Sequence, residues 1–208
     1  SVGKIKVDVQ DMGVDMLSLS GHKFHAPKGV GALYVRKGTR LRPLIHGGGQ
    51  ERGLRSGTTN VSGLVALGAA AELAAMGMTP EEDKRLRALA ERLWNFAEKQ
   101  LSKIRRNSPA SGSLPGLLNF CTEGVEGESL LMCLDMNGIC ASSGSACTTG
   151  SLDPSHVLLA IGVPVEVAHG SLRFSFSHYT TEDDIVLVES CLPTVIARMR
   201  AMSPTWKG

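Results

Sequence analysis

Ser20-Gly21-His22-Lys23-Phe24-His25-Ala26 joins two apolar runs, Val14-Asp15-Met16-Leu17-Ser18-Leu19 before it and Gly29-Val30-Gly31-Ala32-Leu33-Tyr34-Val35 after it. Both runs have the length and residue choice of strands, so the seven residues read as a turn between two buried strands of an α/β layer. Lysine is seldom buried without a partner, and an ammonium held among strands is costly. The deprotonated amine is the form that condenses with an aldehyde cofactor, which makes Lys23 a candidate Schiff-base residue. A surface turn with Lys23 in water is the plainer alternative.

Outward from this turn, residues 1 to about 75 alternate short strands with glycine-rich turns. Ile45 to Asn60 is an irregular glycine-rich loop whose backbone can approach a ligand closely and whose Arg52, Arg55 and Thr58 offer anion donors. Asn60 to Met76, rich in Ala and Leu, predicts a buried helix. Thr79-Pro80 opens a second helix, with Leu86, Leu89, Leu93 and Phe96 on one face and charges expected only as a solvated surface on the other. The domain boundary is placed near Met76 to Thr79, dividing residues 1–77 from 78–208. Leu117 to Cys121 predicts a strand, Glu126 to Met136 a helix, Ile139 to Ala141 a short strand, Asp153 to Gly162 a helix, and Ser171 to Phe176 a half-buried strand. Thr181 with Asp184 caps a closing helix that runs to about Met199.

Composition narrows the function. The 208 residues carry 22 Lys plus Arg against 20 Asp plus Glu, a formal net charge of +2, which argues against binding nucleic acid through a basic surface. No apolar run has the length of a membrane span, and no signal peptide is visible. Cys121, Cys133, Cys140, Cys147 and Cys191 form no C-x-x-C pair, an odd set without metal-site clustering that suggests free thiols in a reducing compartment such as the cytoplasm. Cys121, Cys133, Cys191 and Cys140 read as core residues. Cys147 differs, because its Ser, Gly, Ala and Thr neighbours from Ser142 to Ser151 offer nothing apolar to bury it. An exposed, mobile loop carrying a reactive thiol is expected there.

Taken together and in order, Ser20-Gly21-His22-Lys23, Pro27-Lys28-Gly29, His46-Gly47-Gly48-Gly49 with Arg55-Ser56-Gly57-Thr58, Val125-Glu126-Gly127-Glu128-Ser129, and Ser142-Ser143-Gly144-Ser145-Ala146-Cys147-Thr148 with Pro154-Ser155-His156-Val157-Leu158 resemble the NifS/IscS-type cysteine desulfurases. These are fold-type I enzymes using pyridoxal 5′-phosphate. The resemblance implies the carboxy-terminal part of the large cofactor domain followed by a smaller α/β (α+β) domain. It implies that Lys23 forms the Schiff base and shuttles protons, and that Ser20 and His22 bind the cofactor phosphate. Thr58 would bind phosphate in the neighbouring subunit's site of a homodimer, and Arg173 would grip the substrate carboxylate. Cys147 would take sulfur from L-cysteine as a persulfide and pass it to an iron–sulfur scaffold protein of the NifU/IscU kind.

The family's pyridinium aspartate, its glutamine and its stacking histidine align before Ser1. The chain therefore resembles the carboxy-terminal half, a fragment or processed form, not active alone unless another chain supplies the rest. Its short tail after Trp206 points toward a NifS-type enzyme serving nitrogenase clusters. Two further readings remain: a selenocysteine lyase-like relative, and a non-catalytic piece that carries sulfur or binds a scaffold. No metal ligands are expected.

Overall fold

The computed structural model describes residues 1–143, 154–204 and 206, which form two compact units, Ser1–Thr79 and Pro80–Gly208.

In the first unit, strands β1 (Met16–Ser20) and β2 (Gly31–Val35) pair antiparallel, with Ser20 opposite Gly31. A single 3-10 turn, Gly21–Phe24, follows β1 directly, and His25 ends it in the left-handed region at φ 71°. Helix α1 (Val61–Gly77) is capped by the Asn60 side chain, which accepts from the Gly63 N–H. Phe24 and Ala26 bury themselves with Leu67 and Ala70 of α1, which fastens the turn to the helix. Gly21 is required at this seam. A Cβ there would lie 2.9 Å from both Ala26 Cβ and Leu67 Cδ1 and 3.0 Å from the Val30 carbonyl oxygen.

The strands and α1 are less buried than their composition suggests. β1 and β2 contain no buried residue, and α1 buries only Gly63, Leu67 and Ala70, while Val65 and Met76 remain 68% and 70% exposed. Only the stripe at spacings of four and three meets the turn; this unit offers the other faces no partner surface.

The second unit is built on an antiparallel sheet in the order β3 (Ile104–Arg106), β4 (Leu117–Thr122), β5 (Ser171–Ser175). Helices α2 (Pro80–Gln100), α3 (Gly127–Asp135) and α6 (Glu182–Met202) bury Leu89, Leu93, Leu130, Leu134, Ile185, Leu192 and Ile196 against Leu118, Phe120, Leu172 and Phe174 on one face of the sheet. Side chains on a strand alternate between faces, so Asn119, Cys121, Ser171 and Arg173 occupy the other face. There the short helices α4 (His156–Ala160) and α5 (Val165–Ala168) supply Leu158 and Ala168 against Cys121. α6 begins with the expected capping box: Thr181 Oγ1 accepts from the Asp184 N–H and the Asp184 carboxylate accepts from the Thr181 N–H.

Three expectations are corrected. Ile139 to Ala141 is not a strand, because the Ile139 N–H is spent closing α3 on the Leu134 carbonyl, and only Ser142 bridges to β5. Cys140 is accordingly exposed and not core, whereas Cys133 and Cys191 are partly buried against the main core. The charged face of α2 is more than a solvated surface. Arg85 donates to the Thr180 and Ser177 carbonyls, Arg92 forks onto Glu189 of α6, and Arg106 of β3 pairs with Glu91. No single helix among the described residues is long and apolar enough to cross a membrane.

Candidate active site

The turn after β1 presents Ser20, His22 and Lys23 together, all three exposed, while Gly21 and Phe24 between and beside them are buried. The Ser20 side chain does not cap the turn. Among the described residues no carboxylate pairs with Lys23. Lys23 is therefore not an ammonium buried between strands, as the local sequence suggests. It stands in solvent on a turn that Leu67 and Ala70 hold rigidly from behind.

This arrangement fits a phosphorylated aldehyde. A hydroxyl, an imidazole and an amine lie within four consecutive residues, their polar ends unclaimed among the described residues. The Gly21 seam leaves no room for the turn to retreat. Hydrogen-bond donors pre-positioned on a rigid element are what phosphate binding needs.

Thr58 is also exposed. It borders a cleft of about 700 Å³, lined among others by Val30, Leu33, Leu41, Leu54 and Arg55, to which Ser20, His22 and Lys23 do not contribute. The loop bearing Thr58 is folded on itself. Ser56 Oγ donates to the Gly48 carbonyl at 2.7 Å, the Gly57 N–H donates to Gln50 Oε1 at 3.2 Å, and Arg55 donates to the Ser56 carbonyl. Glu51 and Arg52 turn the chain through left-handed φ of 49° and 58°.

In the second unit Arg173 sits in the middle of β5, half-buried, and its Nε is enclosed without a hydrogen-bond partner among the described residues. Its backbone pairs both ways with Ser142: the Arg173 N–H donates to the Ser142 carbonyl at 2.7 Å and the Ser142 N–H to the Arg173 carbonyl at 3.0 Å. Ser142 opens the serine-rich segment that leads to Cys147; Cys147 itself lies outside the described residues. Glu126, part of the Val125–Ser129 motif, has a structural task. Its carboxylate accepts from the Glu128 and Ser129 N–H groups, both at 2.7 Å, and caps α3. Burial alone would raise the Glu126 carboxyl; the hydrogen bonds from Ser129 and Glu128 outweigh it and leave the group below its usual range.

Sequence reading did not single out Asn119. It lies directly across from Arg173 in the β4–β5 ladder and is the hub of a polar cluster with Asn107, Ser108 and Ser171. The signal was present: a lone asparagine in the apolar run Leu117 to Cys121, where strand propensity disfavours it.

A glycine-tight turn carrying an amine, joined in sequence to an antiparallel α+β unit with a half-free arginine on its open face, is the layout of a fold-type I enzyme. The chain matches the family model "Aminotransferase class-V" over residues 1–188 and belongs to that family. It is 52% identical over 209 aligned residues to a cysteine desulfurase IscS of Clostridium botulinum strain Hall, covering 100% of this chain and 52% of the relative. It is 51% identical to a cysteine desulfurase of Gluconacetobacter diazotrophicus, covering 100% of this chain and 52% of that one. Among solved structures, a NifS-like protein of Rickettsia africae superposes with a TM-score of 0.83 at 30% identity, over 94% of this chain and 51% of that chain. Another NifS-like protein gives 0.79 at 36% identity, over 97% and 50%. The chain spans about half the length of the curated relatives it matches.

Proposed function

We propose that this chain is the carboxy-terminal half of a pyridoxal phosphate-dependent cysteine desulfurase. Residues 1–77 would be the rear of its cofactor domain and residues 78–208 its small domain. The observation that carries the reading is the turn that presents Ser20, His22 and Lys23 together to solvent, in a chain 52% identical along its whole length to a cysteine desulfurase.

When bound, pyridoxal phosphate supplies an electron sink that lets bonds to the α- and β-carbons of an amino acid be broken. Lys23 holds the cofactor and moves a proton at the substrate α-carbon with its amine. Ser20 Oγ and the His22 ring hold the phosphate, and Thr58 serves the phosphate of a second subunit, in keeping with its place on a separate cleft. Arg173 takes the carboxylate of L-cysteine in a planar two-point contact, which the fork of its guanidinium allows. Cys147, as thiolate, attacks the substrate sulfur. An S–S bond forms as the substrate Cβ–S bond breaks, and the electron pair of that bond stays with carbon. Protonation of that carbon completes L-alanine and leaves a persulfide on Cys147. The sulfur then passes to an iron–sulfur scaffold of the NifU/IscU kind in the cytoplasm, nitrogenase clusters among its destinations. The working form is a homodimer.

The test joins the chain to the amino-terminal residues of the Clostridium botulinum relative and measures L-alanine released from L-cysteine. Release that disappears in Lys23→Ala and in Cys147→Ser supports the reading. A folded chimera that takes up pyridoxal phosphate but releases no alanine overturns it. Alanine release that survives Cys147→Ser overturns the persulfide route and favours a selenocysteine lyase-like chemistry.

A further inference from the structure

Asn119 and Arg173 face each other across β4 and β5. The N–H and carbonyl of Arg173 both point away from β4, to Ser142, so the two residues form a non-hydrogen-bonded antiparallel pair, the type in which opposed side chains approach most closely. An asparagine this close to a guanidinium is ordinarily an acceptor for it. Here it is not available as one.

Asn119 Nδ2 lies 3.1 Å from the Leu172 carbonyl oxygen and 3.0 Å from Ser171 Oγ. A carbonyl only accepts, which fixes the amide: nitrogen toward β5, oxygen toward β3. Asn119 Oδ1, turned toward β3, accepts from Asn107 Nδ2 at 2.7 Å. The Asn119 backbone is held from the same side, its N–H donating to the buried Ser108 Oγ at 3.0 Å. Asn107 also donates to Cys121 Sγ at 3.1 Å, so its own position is fixed. Two of the polar side chains beside Arg173 on this face, Asn119 and Ser171, are engaged with each other, and Asn119 also with the Leu172 carbonyl. The guanidinium is left with an enclosed Nε and no protein acceptor among the described residues.

We infer that Asn119 is a positioning residue for carboxylate recognition. Oriented by Asn107, it packs against Arg173 while turning its only side-chain acceptor away, which keeps the guanidinium uncommitted until an external carboxylate arrives. A hydrogen-bonded polar cluster in a central strand specifies geometry where an apolar side chain would only fill space, although one acceptor in it, Asn107 Oδ1, has no partner among the described residues. The inference rests on Arg173 being the carboxylate site. It goes beyond that reading by naming the residues that keep the site open.

The test follows the Nε–H group of Arg173 by heteronuclear NMR in the 208-residue chain, identified by its loss in Arg173→Lys, as acetate replaces chloride at constant ionic strength. The wild-type signal is expected to move with acetate. Asn119→Asp cannot donate to Leu172 and places a carboxylate opposite Arg173. Its signal is expected to be displaced before acetate is added, with apparent acetate affinity lowered about tenfold or more, the scale of one charge-assisted hydrogen bond. Asn107→Ala removes the donor that holds Asn119 Oδ1 toward β3, which lets the amide turn its oxygen to Arg173 and should lower acetate affinity in the same direction. It carries the test if melting curves show that Asn119→Asp does not fold. A wild-type signal that acetate does not move overturns Arg173 as the carboxylate site, and the role of Asn119 with it. A wild-type signal that moves, with wild-type affinity kept in the folded variants, overturns the role of Asn119 alone.

Discussion

The guanidinium carbon of Arg200 lies over the Trp206 ring, 3.9 Å from its centre, while the guanidinium nitrogens donate to the Glu123 carbonyl at 3.0 Å and to the Ser102 carbonyl at 2.7 Å. Arg200 is 8% exposed, so this contact closes α6 onto the loops that follow α2 and β4. Lysine can reproduce the charge but neither the fork nor the stacking plane. Arg200→Lys should therefore destabilise the second unit by about 1–3 kcal/mol, the scale of hydrogen bonds made by a charged group. Denaturant unfolding followed by tryptophan fluorescence checks this, and an unchanged midpoint would remove the closure role.

Thr181→Ala should cost about 1 kcal/mol, because it removes the side-chain half of the capping box at the start of α6. The expected observation is a lower denaturation midpoint with an unchanged slope.

Acid should weaken the second unit in steps traceable to named carboxylates. The Glu91 carboxyl is held below its ordinary range chiefly by the hydrogen bonds from Arg106, and that of Asp184 by the Thr181 N–H and hydroxyl. A carboxyl whose folded pKa lies below its unfolded value contributes stability that is fully present above the unfolded value. That contribution is lost as pH falls through the folded one. Stability should thus be flat above about pH 5 and decline toward pH 3, near and below the ordinary carboxyl values. Glu91→Gln should lower the plateau and make the decline shallower. A wild-type pH profile in Glu91→Gln would contradict the assignment.

The cysteines should differ sharply toward an alkylating reagent. Cys140 is exposed, whereas burial pushes the Cys121 thiol up in spite of the Asn107 hydrogen bond. Only the thiolate reacts, so peptide mapping after native alkylation should find Cys140 modified and Cys121 untouched until denaturant is added. Early modification of Cys121 would mean that the cover supplied by Leu158 and Ala168 opens readily.

Gly170 should tolerate no side chain. Its carbonyl accepts from the Thr122 N–H at 2.9 Å, and a Cβ would strike the Thr122 carbonyl oxygen. Gly170→Ala should cost about 1–3 kcal/mol by forcing β4 and β5 apart at the end that carries Ser171. Its melting temperature should fall while that of Gly138→Ala, with open space around the Cβ position, changes through backbone strain alone.

What was legible in the sequence follows from how local each signal is. The turn from Gly21 to Phe24, the Leu86, Leu89 and Leu93 face of α2 and the cap of α6 are written in neighbouring residues and appear at their expected places, whereas Phe96 yields its expected core position to Trp94 and Ala97. β3 was missed because Ile-Arg-Arg has no strand pattern; its arginines settle only when Glu91 and the Ile161 and Gly162 carbonyls come within reach. The burial of α1 was overread because small apolar residues signal a packed helix without saying how many sides are packed. Lys23, Ser20 and His22 could be read as a set because they share one turn. Asn119 could not, since its partners Asn107 and Ser171 lie 12 and 52 residues away and only the sheet brings them together.

The join between Ser142 and Arg173 is made by backbone atoms alone, one N–H and one carbonyl from each residue. Such a join is blind to side chains. The segment that follows Ser142 can be lengthened, shortened or rewritten by mutation while the arginine keeps its place in the sheet. The sheet register of Arg173 is thereby insulated from changes in the sequence that follows Ser142.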